Sequence, residues 1–443
     1  MYDVIVVGGG VSGTVAAIAS ARNNVKTLLI EKYGFCGGAL TNSGVGPMMT
    51  FHAGKKQVIK GIADEIIERM KKASASVGHI MDTTGYASSV TPFDAEMLKH
   101  VLDDMLLESG CNLLYHTMLA GVNVENGRIK SVKVCNKGGL SDIEGIIFID
   151  ATGDADLSYF AGVKCKKGRD SDNLSQPMTT NLKIGNVDID KIKKNIKDNP
   201  SNHKVKHIDM LDNTLRLSVA GFNSELENAK RNKDITFERE TVLFFETNNK
   251  GEVILNMTRV LGKDATDPYQ LSQAEIEGRK QANQAFKFLK EYVPGFEKAV
   301  FISTGVQIGV RESRRIDGRY VLTAEDLLNS VDFDDAIAIG GYPIDIHNPA
   351  GNHTNSIHLK PGQTYQIPYR SLLPKEISNL LVSGRCISAT HEAGAAIRVT
   401  PIVMAIGQAA GTAAALSVAD KTEPAMLSVE KLKETLIAQG AVI

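Results

Sequence analysis

The chain has 443 residues, of which 43% are hydrophobic and 23% charged; this is ordinary for a globular protein with about two or three units around buried cores. Its formal net charge of −1 gives no general attraction to nucleic acid or to an anionic membrane. The 5 cysteines include no CxxC pair, which argues against a disulfide framework, a zinc site or an iron–sulfur cluster and favours a reducing cytoplasm.

The first 31 residues predict a β-α-β unit that binds a dinucleotide. An apolar strand starting near Val4 runs into Gly8, Gly10 and Gly13, a helix of small residues follows, and a second strand ends on Glu31. Glycines let the backbone approach a diphosphate, the helix N-terminus attracts its charge, and an acid about 20 residues further on binds the ribose hydroxyls. Glu31 favours a dinucleotide with a free ribose over one that carries a 2′-phosphate. Because the chain enters this strand without the basic segment of a signal peptide, we expect a cytoplasmic protein.

Two amphipathic helices and a group of strands are predicted next. Apolar residues at helical spacing predict helices over 58–70 and 93–108, with a polar loop or lid between them. Alternating apolar residues and turn residues then predict a β-meander with strands at 112–116, 121–125, 129–134 and 143–149. The last strand runs into a second glycine turn at 150–156.

The composition becomes more polar after Cys165, which predicts a cap or substrate domain inserted into the first domain. An apolar strand at 380–384 again ends in glycine, and a helix follows with Thr400 as its expected N-cap and Pro401 at its first position. Residues 400–419 carry no charge, and Gly407-x-x-x-Gly411 imitates a membrane dimerisation motif. Their many small residues favour a buried helix packed against a sheet or ligand, so we expect no membrane span.

Three apolar strands that end in glycine turns are typical of flavoproteins with two dinucleotide-binding domains. The matching motifs lie at 8–13, 31–32, 36–38, 150–154, 309–315, 342–347, 379–385 and 398–401. On these motifs the chain resembles FAD-dependent oxidoreductases, in particular flavoproteins of unassigned substrate whose flavin domain is like that of fumarate reductase and succinate dehydrogenase. The resemblance covers nearly the whole chain. It implies an α/β fold, with a Rossmann-like FAD-binding domain made from residues 1–162 and 366–443 and an α+β cap or substrate domain at 163–365.

The resemblance also implies how FAD is held. Gly8, Gly10 and Gly13 would meet the diphosphate, Glu31 the adenosine ribose, and Lys32 would lie beside the adenine. The other expected contacts are Ser12, Gly37, Gly38, Leu119 (at the adenine), Ala151, Gly153, Gly384, Arg385, Thr400, Pro401 and Ile402. The N-terminus of the last helix would stabilise negative charge on the flavin by about 0.3–2 kcal/mol.

Three features of the sequence differ from related flavoproteins and narrow the expected cofactor attachment and redox chemistry. No histidine directly follows Gly37 and Gly38, where covalent flavoproteins of this kind carry one, so non-covalent FAD is expected. There is no second GxGxxG over 165–365, so a dedicated NAD(P)H domain is not expected. Cys36 has no partner cysteine nearby and is interpreted as a packing residue rather than a reactive thiol.

Arginines and histidines are the candidates for the chemistry. Arg311 or Arg398 could hold a substrate carboxylate in two hydrogen bonds, although acids such as Glu312 could instead pair with the arginines of 311–319 in a structural network. His347 or His391 could be the general acid or base, because the pKa of histidine lies near working pH; a structural histidine is the alternative in each case. Glu392 is the expected partner of His391. No spacing suggests a metal site.

We therefore expect FAD-dependent hydride transfer to or from a small organic substrate, such as a carboxylate, with an unknown electron donor or acceptor. An amino-acid or amine oxidase is an alternative, and so is an electron-transfer subunit. The lysine-rich stretch 191–207 raises a further alternative, an RNA-modifying flavoprotein. Its lack of interleaved aromatic residues favours a solvated surface, so nucleic acid is not the favoured partner. The sequence predicts no oligomeric state.

Overall fold

The computed structural model describes residues 1–351 and 353–443. Its α-helices are α1 (Val11–Arg22), α2 (Ile62–Lys72), α3 (Ala95–Glu108), α4 (Asp156–Phe160), α5 (Ile189–Asp198), α6 (Asn223–Arg231), α7 (Pro268–Tyr292), α8 (Ala324–Leu328), α9 (His391–Ile397), α10 (Thr400–Ala419) and α11 (Val429–Ala438). Its strands are β1 (Tyr2–Val7), β2 (Thr27–Ile30), β3 (Met48–Met49), β4 (His52–Ala53), β5 (Lys56–Gln57), β6 (Val90–Thr91), β7 (Asn112–Leu114), β8 (Met118–Glu125), β9 (Arg128–Asn136), β10 (Gly139–Asp150), β11 (Cys165–Lys167), β12 (Leu182–Gly185), β13 (Ser218–Gly221), β14 (Val242–Glu246), β15 (Val253–Leu255), β16 (Val300–Thr304), β17 (Arg314–Ile316), β18 (Ala336–Gly340), β19 (Ile344–His347), β20 (Thr354–Ile357), β21 (Tyr365–Pro368) and β22 (Leu380–Val382).

A seven-stranded sheet forms the centre of the fold, in the order β7-β2-β1-β10-β9-β8, with β22 paired to β10. The strands β7, β2, β1 and β22 and the end of β10 run parallel. Parallel strands are covered on both faces, which explains why residues 4–7 and 147–149 are apolar and buried. The strands that end in the three glycine turns, β1, β10 and β22, are neighbours, so the turns meet at one edge of the sheet. The predicted α/β, Rossmann-like fold is confirmed.

The structure corrects three predictions about individual strands and helices. The meander of β8, β9 and β10 is antiparallel as predicted, but β7 does not belong to it: after the crossover helix α3 it pairs in parallel with β2. Helix α2 begins at Ile62 rather than at 58, because Gly61 adopts a left-handed φ of 66° before it. The N-cap of α10 is Val399, and Thr400 is already helical.

A second hydrophobic core lies under a five-stranded antiparallel sheet in the order β13-β14-β15-β12-β16. Buried residues between Leu182 and Ala299 form this core, with α5, α6 and α7 contributing to it. Hydrophobic residues between Ile316 and Tyr365 pack in the first core instead. The domain limits at 162 and 365 stay predictions.

Helix α10 runs through the interior of the first core. It is long and apolar enough to cross a membrane, yet 78% of its most apolar window is buried within the protein. A Cβ atom added at Gly407 or Gly411 would overlap the backbone carbonyl of Ser12 or Ala16 on α1. The small residues therefore let two helix backbones pack in direct contact, which brings the N-terminus of α10 beside the glycine turns.

Candidate functional site

The turn between β1 and α1 lies beside an open space at Gly10. Gly8 adopts a φ of 103°, which favours glycine. Among the described residues, no side chain caps the start of α1 at Val11, and none has an atom within 4 Å of a Cβ added at Gly10. A Cβ atom at Gly13, in contrast, would overlap the Gly8 carbonyl oxygen. Free amides at a helix N-terminus beside an empty space fit the diphosphate of a dinucleotide.

Glu31 lies buried beside this turn. Its Oε2 accepts a hydrogen bond from the Gly9 amide at 2.5 Å, and its Oε1 accepts one from the Tyr33 amide at 2.9 Å. Burial raises the pKa of this carboxyl, although those two amides act in the opposite direction. A carboxylate has about four acceptor positions, so Glu31 can still take ribose hydroxyls. Lys32, next in the chain, is exposed.

The other predicted cofactor residues surround the same turn. The Gly37 amide donates to the Gly9 carbonyl at 2.8 Å, which fixes the 37–38 loop against the β1 turn. The Ala151 amide donates to the Val7 carbonyl at 2.9 Å, so the second glycine turn, with Gly153, lies against the first. Leu119 is half-buried in β8.

The third turn completes this arrangement from β22. A Cβ atom at Gly384 would lie 3.2 Å from the side chain of Ser12. The guanidinium of Arg385 lies 2.7 Å from Asp154 and 2.7 Å from the Ser313 hydroxyl, which holds it beside the second turn. The structure thus brings the residues from all three glycine turns together; their contacts with FAD stay predictions.

The start of α10 likewise has no side-chain cap from residues 1–351 or 353–443. Thr400, Pro401 and Ile402 form its first turn, and Pro401 has no amide hydrogen to satisfy. The remaining unpaired amides give this end a partial positive charge. Arg398, two residues before the helix, adds a full positive charge at the same place.

Asp345 is the centre of a buried polar cluster close to Arg398. It accepts a hydrogen bond from the Tyr86 hydroxyl at 2.7 Å and lies 3.4 Å from the Tyr342 hydroxyl, 3.4 Å from Nη2 of Arg398 and 3.3 Å from Nε2 of His347. Burial alone would raise the pKa of this carboxyl, but His347 and Arg398 hold it well below its usual range. Burial and Asp345 raise the pKa of Tyr86, so that hydroxyl stays protonated.

His347 does not have the properties predicted for an acid or base near neutral pH. Burial and the charge of Arg311 lower its pKa to about 3, so the expectation of a pKa near working pH is wrong. Both ring nitrogens are engaged, Nε2 with Asp345 at 3.3 Å and Nδ1 with the Thr354 hydroxyl at 3.3 Å. A neutral, doubly hydrogen-bonded imidazole suits a positioning role better than proton transfer.

His391 differs from His347, because only one of its two ring nitrogens has a hydrogen-bond partner among the described residues. Its Nδ1 lies 2.9 Å from Glu312, while its Nε2 is buried and without a hydrogen-bond partner in residues 1–351 and 353–443. Glu312 also pairs with Arg315 and accepts the Gln176 amide at 2.9 Å. Burial raises the pKa of Glu312, but His391 and Arg315 more than offset this and keep it ionised. The partner of His391 is therefore Glu312 and not, as predicted, Glu392.

Arg311 is half-buried and lies against the cap. It donates to the Pro177 carbonyl at 2.8 Å, to the Thr179 hydroxyl, and to Oδ1 of Asn256 at 3.2 Å. Burial and the neighbouring charge of Arg398 lower its pKa to about 9, so it remains charged at neutral pH. His391 and Arg311 line one small cavity, together with Gln176, Glu312, Ser313, Arg315, Arg385 and Gly394.

Two further arginines, which the sequence did not single out, lie near Arg311. Arg239 is 6% exposed and donates to the carbonyls of Thr241 and Asn256, both at 3.0 Å. Arg259 is 3% exposed and donates to the Asn348 carbonyl at 2.8 Å. No motif surrounds either residue, so only the fold could place them. Glu312, Tyr86 and Asp345 were likewise not predicted as site residues, although the alternating Asp345-x-His347 pattern was visible.

The structure bears on two further expectations, that the chain has no metal site and that Cys36 is not a reactive thiol. Within the described residues, no group of three or more His, Cys, Asp or Glu side chains could hold a metal ion. Cys36 is fully buried, and burial raises the pKa of its thiol to about 12. A protonated, inaccessible thiol is a packing residue.

Comparison with known proteins agrees with this geometry. A family model described as FAD dependent oxidoreductase matches residues 3–436. Digeranylgeranylglycerophospholipid reductase from Thermoplasma acidophilum is 28% identical over 205 residues, which are 43% of this chain and 48% of that protein. The enzyme of the same name from Thermoplasma volcanium is 26% identical over 205 residues, with the same shares of 43% and 48%. The chain therefore aligns with about half the length of these curated relatives.

A solved structure shows the same fold. A triple mutant of a flavin-dependent brominase overlays with a TM-score of 0.50 and 12% identity, covering 98% of this chain and 83% of the brominase. At this identity the likeness concerns the fold alone. The family model supports the broad FAD-dependent class, and the curated relatives are named as reductases of a phospholipid rather than as fumarate reductases.

Proposed function

The chain belongs to the FAD dependent oxidoreductase family, and we propose that it transfers hydride between FAD and a small organic anion, with a carboxylate as the charged group. The enzyme class and the cofactor follow from the family. The anionic substrate is supported by one observation: among the described residues Arg311 has no ion pair, and Arg398 shares the carboxylate of Asp345 with His347. When bound, FAD supplies the two-electron chemistry.

The charges of this cluster favour a negative ligand. Arg398 forms an ion pair with Asp345 at 3.4 Å, whereas Arg311 has no carboxylate partner in the part of the chain that the structure describes. Arg311 is half-buried, and a partly desolvated charge without a counter-charge is costly, so a substrate carboxylate would offset that cost. The planar guanidinium of arginine can hold a carboxylate in two parallel hydrogen bonds.

Proton transfer is assigned to Nε2 of His391. Glu312 accepts the hydrogen on Nδ1 and so directs Nε2 into the cavity that Arg311 also lines. His347 instead positions Asp345, and Asp345 orients Arg398 and the Tyr86 hydroxyl. The roles predicted for the two histidines thus separate into one proton-transfer residue and one positioning residue.

The other candidate functions have less support. A digeranylgeranylglycerophospholipid, the substrate named for the Thermoplasma relatives, would need an apolar cavity, whereas three arginines and Glu312 are among the residues that line this one. The narrower resemblance to fumarate reductase and succinate dehydrogenase flavoproteins favours a carboxylate. In the lysine-rich stretch, Lys191 and Lys197 form ion pairs with Glu297 and Asp212, which fits a solvated surface better than an RNA-binding one.

An anaerobic screen in both directions tests the proposal. Saturated carboxylic acids are added to the oxidised holoenzyme and unsaturated acids to the photoreduced holoenzyme, and the visible flavin absorption is followed. We expect at least one acid to react in one direction, and its uncharged amide to react at least about tenfold more slowly. Equal rates for acids and amides, or reaction only with amines, would contradict the proposal. Rapid reoxidation by air would favour the oxidase alternative.

A further inference from the structure

We propose that the outer edge of the five-stranded cap sheet binds a second copy of this chain, with the two β16 strands antiparallel across a two-fold axis. Strand β16 is the last in the order β13-β14-β15-β12-β16, and within residues 1–351 and 353–443 no other strand pairs with its free edge. The edge of a sheet presents unpaired backbone groups that can pair with another chain. The inference does not depend on the identity of the substrate.

The side chains of β16 are apolar and exposed. Val300 is 51% exposed, Phe301 41% and Ile302 47%, and Val306, just beyond the strand, is 64% exposed. Soluble proteins usually protect such an edge with charged residues or proline, and β16 contains neither. An uncharged edge with adjacent apolar side chains is typical of a surface that another chain covers.

The apolar side chains lie on both faces of the strand. On one face, a Cβ atom added at Gly185 would lie 2.9 Å from Ile302 and 3.5 Å from Val300, so these two side chains cover that glycine. On the other face, the ring of Phe301 packs edge-on against Phe286 of α7, with ring centroids 5.3 Å apart. A second strand at the free edge lies between these two layers and buries part of both.

A bulge limits how much of the contact the backbone can supply. In the pairing with β12, Lys183 lies opposite Ser303 and Ile184 opposite Phe301, so Ile302 is the extra residue and interrupts the ladder. The strand has 5 residues and is about 17 Å long. Such a strand is too small for the roughly 800 Å² per partner of a stable interface. Side chains of the adjacent α7 therefore take part as well.

The direction of α7 places charges at the two ends of this edge. Glu275 accepts the Ile308 amide at 2.7 Å, beyond the end of β16, whereas Phe286 packs against Phe301 near its start. The helix thus runs antiparallel to the strand. Lys290, one turn after Phe286, lies 5.8 Å from the centroid of that ring. One end of the edge therefore carries a lysine and the other a glutamate.

A two-fold axis near Ser303 matches these features. In antiparallel pairing it sets Val300 of each copy opposite Val306 of the other, and it brings Lys290 of each copy toward Glu275 of the other. Each contact forms twice, so the assembly closes as a dimer and leaves no free β16 edge. Because the same segment supplies both halves of the match, a second copy is the occupant that these residues favour.

Sedimentation equilibrium of the FAD-loaded protein over about 1–100 μM tests the inference. We expect a dimer, and we expect Ile302→Lys and Val300→Lys each to weaken it at least about tenfold, because each places like charges across the axis. Lys290→Glu should weaken it about threefold. Leu140→Lys, at an apolar residue of β10 that is 68% exposed, is the matched control and should leave the dimer unchanged. The FAD content and thermal unfolding of each variant show whether the fold is intact.

Cross-linking tests the position of the axis. Cys135 is exposed and is replaced by Ser, and the exposed Ser303 is then replaced by Cys. A short bismaleimide should link two such chains, because their new thiols lie close to the axis. Ser141→Cys in the same background places a thiol in exposed β10 instead and should give no linked pair.

Three results would overturn the inference. The first is a holoenzyme that stays monomeric at about 100 μM. The second is a dimer that Leu140→Lys weakens and Ile302→Lys does not. The third is a monomer that sediments with phosphatidylcholine vesicles and loses this binding in Ile302→Lys, which would show that a membrane covers the edge.

Discussion

Glu312 lies 2.9 Å from Nδ1 of His391, and Nε2 on the other side of that ring has no partner among the described residues. A carboxylate in this position fixes the orientation and the tautomer of the ring. Glu312 is 79 positions before His391 in the chain, and β17 and α9 bring the two regions together. The pair is the main structural support for the proton-transfer assignment.

Replacing His391 by Gln should slow turnover by about 10²-fold or more, because a positioned acid or base contributes on that scale. Glu312→Gln should also slow turnover and should change the pH dependence of kcat, since the ring loses its charged partner. The matched control is Glu392→Gln, one residue from His391. If Glu392→Gln alters the pH profile and Glu312→Gln does not, the assignment is reversed.

Stability gives a separate prediction for the same carboxylate. Glu312 pairs with the buried guanidinium of Arg315. Glu312→Gln leaves that charge without its partner, which is expected to cost about 3–5 kcal/mol of unfolding free energy. Denaturant unfolding of the wild type and of both glutamate variants measures this. A loss below about 1 kcal/mol would show that Arg315 does not depend on Glu312.

His347 should make stability depend on pH. Its pKa in the folded protein is about 3, below the usual value of the unfolded chain, so the unfolded state binds more protons between these values. The contribution is therefore fully present above about pH 6.5 and is lost as pH falls toward 3, by about one to a few kcal/mol. His347→Gln should flatten this part of the stability curve. An unchanged slope would mean that another group titrates there.

Two glycine variants separate the cofactor space from the packing of the turn. Gly10 has a φ of −60°, and a Cβ atom there would meet no protein atom within 4 Å, so Gly10→Ala should keep the unfolding free energy of the apoprotein within about 0.5 kcal/mol. It should nevertheless weaken FAD binding at least about tenfold, because the methyl group enters the space expected for the diphosphate. Gly13→Ala should reduce both properties, since its Cβ would overlap the Gly8 carbonyl. FAD binding to Gly10→Ala with wild-type affinity would contradict the predicted diphosphate position.

Thiol labelling tests the packing role of Cys36. Burial raises its pKa to about 12, whereas Cys135 is exposed. Iodoacetamide at pH 8 should therefore modify Cys135 in the native protein and leave Cys36 unmodified, and both should react after denaturation. Peptide mapping by mass spectrometry identifies the modified residues. Rapid native labelling of Cys36 would show a reactive thiol near the expected cofactor site.

The sequence was most informative where local patterns carry the structure. Gly8, Gly10, Gly13 and Glu31 predicted the first β-α-β unit because turn, helix start and strand end all have local signatures. The start of α2 was missed, since Val58 and Ile59 are apolar and buried but precede the conformational break at Gly61. Periodicity reports burial, and burial alone does not define a helix.

The site was predictable only in part, because long-range contacts define it. Arg311, Arg398 and His391 were found through their motifs, whereas Arg239 and Arg259 reach the site only through the pairing of β14 with β15. The choice between the histidines could not be made from residue type. It depends on which nitrogen remains free and on the burial of His347, and both are properties of the folded chain.

Binding of a substrate anion by Arg311 beside the flavin can be measured by comparing an acid with its own amide. The affinities of butyrate and butyramide for the oxidised holoenzyme are measured through the visible flavin spectrum in the wild type, Arg311→Lys and Arg311→Met. We predict a preference for butyrate of at least about tenfold in the wild type, a smaller preference in Arg311→Lys and none in Arg311→Met. The same preference in the wild type and in a folded, FAD-loaded Arg311→Met variant, or no preference in the wild type, would show that Arg311 does not bind the anion.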